Sequence, residues 1–406
     1  MQSQAVIVMW QPNHDMKLIF AVDAVFPPLT GIGRYTWELG RRLEANPEIA
    51  DIRFFSMGRR IRRLGDQENM FAKGGVKAGP RRRISVGMRQ RLSKQVWAVR
   101  GYNAVIPRWT QYRLRTLEEY VYHSPSFFVP RFKGRSIATI HDLSNYKYAE
   151  MHPRARRKMF ELNMTQTLAQ VSHMITVSEA MRREIIEYFG WPETKISTVH
   201  LGVDPIFRPR LEKELQSTLN RYSLAPGMYA LCVSTLEPRK RIESLLTAYA
   251  ILPAQLRGRY PLVLSGDSGW LSESLHAQLD EARRAGWVRW LGFVPEEDLP
   301  FLYAGARVFC YPSVYEGFGL PVLEAMASGV PVLASDKSSL PEVTDGAALL
   351  VDPDDVEAMS EGVHRVLEDT AWRTQSMERG LAVASNKTWE HCTGRTIEVY
   401  RRVVSE

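Results

Sequence analysis

Short apolar runs alternate with longer amphipathic stretches along most of the chain, a rhythm that predicts buried strands separated by helices. In the first half, Leu18–Val22, Ile52–Phe55, Val121–His123, Ile137–Ile140, Met174–Val177 and Ile196–Val199 read as strands. A helix is expected from about Tyr35, and others near Arg154–Gln170 and Glu179–Tyr188. The pattern breaks after Gly202-Val203-Asp204-Pro205, where Pro and polar residues replace the apolar rhythm. It restarts with Tyr229–Val233 and continues through Leu262–Leu264, Val288–Leu291, Val308–Tyr311, Val330–Ala334 and Ala348–Val351. Two doubly wound α/β domains in series are therefore expected, over residues 16–205 and 206–387, with residues 1–15 as an extension ahead of them. In open sheets of this kind ligands sit beyond the carboxyl ends of the strands. The residues that follow the strands are the ones to search for chemistry.

Composition narrows the class. The 406 residues are 45% hydrophobic and 24% charged, as in a soluble globular protein too long for one ordinary core. Cys232, Cys310 and Cys392 are too few and scattered for a disulfide framework, and Cys232 and Cys310 fall in strand-like runs as inert buried thiols, which suits a reducing, cytoplasmic compartment. No run of 18 apolar residues marks a membrane span, and the first fifteen residues lack the form of a signal peptide. The net charge of +8 is uneven: residues 56–120 hold sixteen Lys or Arg against four Asp or Glu. Such a block, from Arg59 to Arg115 with Trp97, Tyr102 and Trp109 inside it, is a solvated face, a nucleic-acid patch or a peripheral foot on an anionic membrane.

Four segments carry candidate chemistry. Tyr315-Glu316-Gly317-Phe318-Gly319-Leu320-Pro321 runs into Val322-Leu323-Glu324, so seven residues separate Glu316 from Glu324. Pro321 suits a first helical turn, and Gly317 and Gly319 give a side-chain-free approach to it. Two carboxylates there would repel a diphosphate, so they should face sugar and ribose hydroxyls; the competing reading is a surface helix with acidic residues near its start. Arg239-Lys240-Arg241 follows the first strand of the second half, and three cations opening a helix oppose its dipole unless an anion sits there. A diphosphate leaving group fits, and so does a solvated basic turn. His141-Asp142 stands at the end of an apolar run, placed either to position a hydroxyl or as a structural pair. Gly31-Ile32-Gly33-Arg34 precedes a helix, but Thr36 occupies the last glycine position of the dinucleotide fingerprint, which excludes an NAD site on that motif.

The Glu316-to-Glu324 stretch resembles the Glu-x7-Glu motif of the family 4 retaining glycosyltransferases, and the likeness runs through nearly the whole chain. It implies the GT-B fold, two Rossmann-like domains with the active site in the cleft between them, the first completed by a final helix over 388–406. By this resemblance Glu316 touches the donor hexose near the reacting centre and Glu324 binds the ribose hydroxyls. Glu237-Pro238-Arg239-Lys240 is similar to the family's diphosphate-binding signature, although Ser234 stands where some members carry a further arginine. His141 then contacts the donor sugar near its C6 hydroxyl, with Asp142 on the acceptor side. The loop of Gly31 and Gly33 approaches the diphosphate and the acceptor, with Arg34 placed on the acceptor side, at the diphosphate, or as a surface cap. Gly317, Phe318, Gly319 and Leu320 line the donor, and Phe293-Val294 belongs to the loop whose backbone reads the base. Thr176-Val177-Ser178-Glu179 resembles a family segment with a structural role.

The resemblance implies retaining transfer of a hexose from a nucleotide sugar to a saccharide or lipid-linked acceptor in bacterial O-antigen or exopolysaccharide assembly. GDP-mannose or a GDP-deoxyhexose such as the rhamnose donor is the first expectation, and a UDP-hexose the second. A GT-B nucleotide-sugar epimerase is the alternative, and a nucleic-acid-binding protein the least favoured class. No metal is expected: paired cysteines, His-Glu-x-x-His and an Asp-x-Asp motif are lacking, and the cations can supply the counter-charge.

Overall fold

The computed structural model describes residues 16–26, 29–56, 58–65, 109–151, 154–268 and 273–405. The expected extension over 1–15, and Trp97 and Tyr102 with the middle of the basic block, lie outside the described residues. Among those described, two sheets form. The first has the order β3-β2-β1-β4-β5-β6-β7, with β1 Met16–Ala21, β2 Ile49–Ser56, β3 Arg59–Ile61, β4 Val121–Ser124, β5 Ser136–Ile140, β6 His173–Thr176 and β7 Ile196–Thr198. The second has the order β10-β9-β8-β11-β12-β13, with β8 Ala230–Val233, β9 Leu262–Ser265, β10 Val288–Trp290, β11 Val308–Tyr311, β12 Val332–Ser335 and β13 Leu349–Val351. All pairs of the second sheet are parallel, as the crossover helices require. The chain divides into two compact units, one of Met1–Ile140, Lys158–Ile175 and Thr396–Glu406 and the other of His141–Arg157 and Thr176–Arg395.

In the first unit β1 pairs with β2 on one side and β4 on the other, and Leu18, Ile19 and Phe20 are fully buried. A strand covered on both faces has no polar position to alternate with, so its sequence reads as one apolar run. The antiparallel edge strand β3 escapes the sequence pattern because it is Arg-Arg-Ile, with no apolar face to bury. The first helix, Gly31–Glu44, starts four residues before the expected Tyr35: Thr30 caps it by accepting from the Gly33 amide at 3.2 Å. Gly31 and Gly33 therefore lie in a helical turn rather than an open loop. A Cβ on Gly33 would stand 2.8 Å from the Ala24 carbonyl oxygen. A buried polar chain closes this unit, in which His123 Nε2 is hydrogen-bonded to Thr139 Oγ1 at 2.8 Å and Nδ1 to the Tyr400 hydroxyl at 2.5 Å. Tyr35 meets the same threonine at 3.0 Å.

In the second unit the core packs β8, β9 and β11 against the helices Ile242–Ile251, Glu273–Arg284 and Val356–Glu368, with Leu245, Tyr249, Leu279, Val363 and Val366 fully buried or nearly so. Cys232 and Cys310 are buried within it, and burial pushes the Cys232 thiol up to about 12, which leaves it unreactive. The strand ends are stitched together: Leu236 donates to the Asp267 carbonyl at 3.0 Å and Gly266 to that of Gly292 at 2.8 Å. Among the described residues no helix is long and apolar enough to cross a membrane.

Candidate active site

After β8 the chain enters a 3-10 turn over Pro238–Lys240 and then reaches Arg241 at φ 50°, where the left-handed conformation ends the turn before the helix Ile242–Ile251 begins. Arg239 and Lys240 thus precede that helix rather than opening it, which corrects the sequence expectation. The turn carries Lys240 inward until it is only 8% exposed.

The strand β11 delivers the partner of these cations. Past Tyr311 the chain turns through Ser313, and the segment to Gly319 ends at the helix Leu320–Ala327, with Gly319 at φ 107° as its cap and Pro321 in its first turn. Glu316 Oε1 receives the Lys240 ammonium directly and stands 3.3 Å from Arg239 Nη1. The Tyr311 hydroxyl accepts from Lys240 at 2.9 Å and donates to the same carboxylate oxygen at 3.0 Å. Burial opposes ionisation of Glu316, but Lys240 and Arg239 outweigh it and its pKa falls to about 2. Burial lowers that of Lys240 despite Glu316 beside it, and adjacent Arg239 adds to the lowering. For Arg239 burial is outweighed by Glu316 and then by Asp142, which hold the guanidinium firmly charged.

The backbone of the Glu316 loop is held separately. Ser338, at φ 57°, donates to the Glu316 carbonyl at 2.7 Å, and Ser339 donates to the same carbonyl at 2.9 Å and to that of Phe318 at 2.8 Å. Ser178 caps the helix Glu179–Phe189 by accepting from the Met181 amide at 3.2 Å while donating to the Gly317 carbonyl at 2.7 Å. His141, 7% exposed, places its carbonyl oxygen only 1.7 Å from where a Cβ on Gly317 would stand, so only glycine fits there. Asp142 accepts from the Ser144 amide at 2.8 Å and fixes the turn after His141.

Glu324 lies on the helix Leu320–Ala327 and faces Tyr303, whose hydroxyl is pushed well above its usual value by burial first and by that carboxylate second. Phe293 is 54% exposed and Val294 is buried, just after β10. Gly31, Gly33 and Arg34 belong to the helix Gly31–Glu44 of the first unit, and the cluster to the second. Sequence reading passed over Tyr311, Ser338 and Ser339. A tyrosine closing an apolar strand was the available signal for the first; the serines carried none, since their use depends on a loop 21 to 23 residues away in the chain. Among the described residues no group of three or more His, Cys, Asp or Glu side chains could hold a metal ion.

Residues 29–207 match glycosyltransferase family 4, and residues 226–381 match the glycosyl transferases group 1. The O-antigen chain mannosyltransferase B of Escherichia coli is 42% identical over 386 residues, covering 95% of this chain and all of that protein. The chain belongs to the family 4 glycosyltransferases. The serotype-specific mannosyltransferase WbdA of Escherichia coli is 30% identical over 71% of the glycosyltransferase described here, which spans 35% of WbdA's length. The crystal structure of Anabaena Alr3699/HepE in complex with UDP-glucose superposes with a TM-score of 0.71 at 16% identity, over 95% of this chain and all of that one. That likeness shows the fold, two parallel-sheet α/β domains of the GT-B class. In this glycosyltransferase the Glu-Pro-Arg-Lys turn and the first glutamate of the Glu-x7-Glu motif are thus joined in one buried ion cluster, from chain positions 76 residues apart.

Proposed function

We propose that this glycosyltransferase transfers mannose from GDP-mannose, with retention and without a metal ion, to a saccharide on a lipid carrier during assembly of a bacterial O-antigen. The reading rests first on the buried cluster of Arg239, Lys240 and Glu316, which sets a guanidinium and an amino group beside a carboxylate that stays ionised. The full-length likeness to an O-antigen chain mannosyltransferase supports the sugar and the pathway. Arg239 and Lys240 would hold the diphosphate and stabilise the charge that grows on it as the glycosidic bond breaks, replacing the counter-charge of a metal. The acceptor hydroxyl would attack the oxocarbenium-like carbon on the face the diphosphate leaves, giving its proton to a departing phosphate oxygen. His141 and Glu316 hold the sugar, while Glu324 holds the ribose.

The decisive measurement is nucleoside diphosphate release from a panel of GDP- and UDP-sugars, with and without mannosylated lipid-linked acceptors, with the anomeric form of the product read by NMR. Release from GDP-mannose only in the presence of acceptor, with an α-linked product, is expected. Release from a UDP-sugar instead would overturn the donor, and interconversion of the donor without acceptor would mark an epimerase.

The acceptor reading brings the enzyme to the cytoplasmic membrane surface. Arg59, Arg60, Arg62, Arg113 and Arg115 are exposed, beside Trp109 and Tyr112 at 48% and 54% exposure. The Arg115 guanidinium lies 4.1 Å from the Tyr112 ring centroid. Each such cation near anionic lipid is worth about 1 kcal/mol. Cosedimentation with phosphatidylglycerol vesicles that weakens as salt rises is expected, and binding unaffected by charge or salt would reject the surface.

A further inference from the structure

Arg239 and Lys240 already have an anion, and it is part of the chain. Glu316 Oε1 is shared by the Lys240 ammonium, the Arg239 guanidinium at 3.3 Å and the Tyr311 hydroxyl at 3.0 Å. The cluster is buried, with Lys240 8% and Tyr311 2% exposed. Two anions sharing two buried cations repel strongly, because water screens them poorly there. A diphosphate that takes Arg239 and Lys240 must therefore draw them from Glu316, and Glu316 must recover them when the diphosphate leaves.

We infer that Glu316 is an internal counter-anion that competes with the nucleoside diphosphate for Arg239 and Lys240, weakening product binding and so speeding product release. The inference rests on the reading of this cluster as the diphosphate site. It adds a second task to the carboxylate, which holds the donor sugar while the bond is intact and reclaims the cations once it has broken. Tyr311 is a positioning residue in this exchange. Its hydroxyl contacts both Lys240 and Glu316, and it gives each a neutral partner while the other is engaged. The low pKa of Glu316 supports the exchange, since the carboxylate stays charged throughout the neutral range.

The experiment is calorimetric binding of GDP, UDP, GMP and UMP to the full chain and to Glu316→Gln and Glu316→Asp. In Glu316→Gln the Kd for the accepted diphosphate should fall about fivefold or more, although transfer is lost. The matching monophosphate has no β-phosphate to contest the cations. Its Kd should stay within about twofold of wild type, which also shows that the variant is folded. Glu316→Asp keeps the charge and should keep wild-type diphosphate affinity. Unchanged or weakened diphosphate binding in Glu316→Gln, with monophosphate binding intact, overturns the inference and leaves the donor site standing. Equal tightening in Glu316→Asp overturns it too, because the cause would then be space and not charge. If no nucleotide binds the wild-type chain, both the donor site and the inference fall.

Discussion

At the scale of single residues, the cluster of Arg239, Lys240 and Glu316 is a problem of charge placed where water is scarce. Lys240 would be costly in its pocket without Glu316, and Glu316 without its cations. On the proposed role of Lys240 at the leaving diphosphate, its replacement by Ala should lower kcat/KM by about 100-fold or more. It should also raise the Glu316 pKa, followed as the carboxyl resonance in a pH titration; a Glu316 still titrating near 2 would show that Arg239 alone suffices. The pair also sets an acid limit. The Glu316 pKa is lower in the folded chain, about 2 against an ordinary 4.5, so its contribution to stability is present above pH 4.5 and lost as pH falls toward 2. Denaturant unfolding between pH 6 and pH 2.5 should show a loss of stability in wild type that is smaller in Glu316→Gln, and equal pH slopes would exclude Glu316 as its source.

At the scale of elements, the site depends on loops that touch at backbone level. Gly317 meets the His141 carbonyl with no room for a methyl group, so Gly317→Ala must push apart two main-chain segments that no rotamer change can relieve. A cost of about 3 kcal/mol is expected in urea unfolding, with a further fall in kcat; a variant of native stability and activity would mean that the two loops stand farther apart. The helix Glu179–Phe189 offers a second case. Its first amides, of Glu179 and Ala180, donate at 2.7 and 2.9 Å to the carboxylate of Glu342, which also meets His200 Nε2 at 2.6 Å. Glu342→Ala strips that helix end of its anion and should cost about 1–2 kcal/mol, measured by the same unfolding curve.

At the scale of the whole molecule, the ends of the chain build one unit together. The segment Thr396–Glu406 clusters with β1 and β4, and Tyr400 is hydrogen-bonded to His123 inside a core that Phe20 also lines. A chain ended at Arg395 should therefore lose the cooperative unfolding of the first unit, read by circular dichroism and by cleavage sites appearing within Met16–Ile140. Retention of a sharp transition would show that the first sheet is stable without its C-terminal segment. Tyr400→Phe is the milder form of the same test and should cost about 1–2 kcal/mol.

Much of this was legible in one dimension. Apolar runs repeat strand by strand because a parallel sheet is buried on both faces, and burial leaves its mark residue by residue. Glu316, Glu324, Arg239 and Lys240 stood out in the sequence through the glycines, proline and clustered cations around them and their likeness to family motifs, but the buried cluster that joins Glu316 to Arg239 and Lys240 did not. The edge strand Arg59–Ile61 was not legible, since strands without a buried face carry no apolar signature. Nor was the helical start at Gly31, which Thr30 fixes through a cap, nor the left-handed Arg241 that sets the cations ahead of their helix. The contact among Lys240, Tyr311 and Glu316 belongs wholly to the tertiary structure. Local sequence fixes which charges exist, but which charge answers which is decided by strand ends that meet only when the sheet has formed.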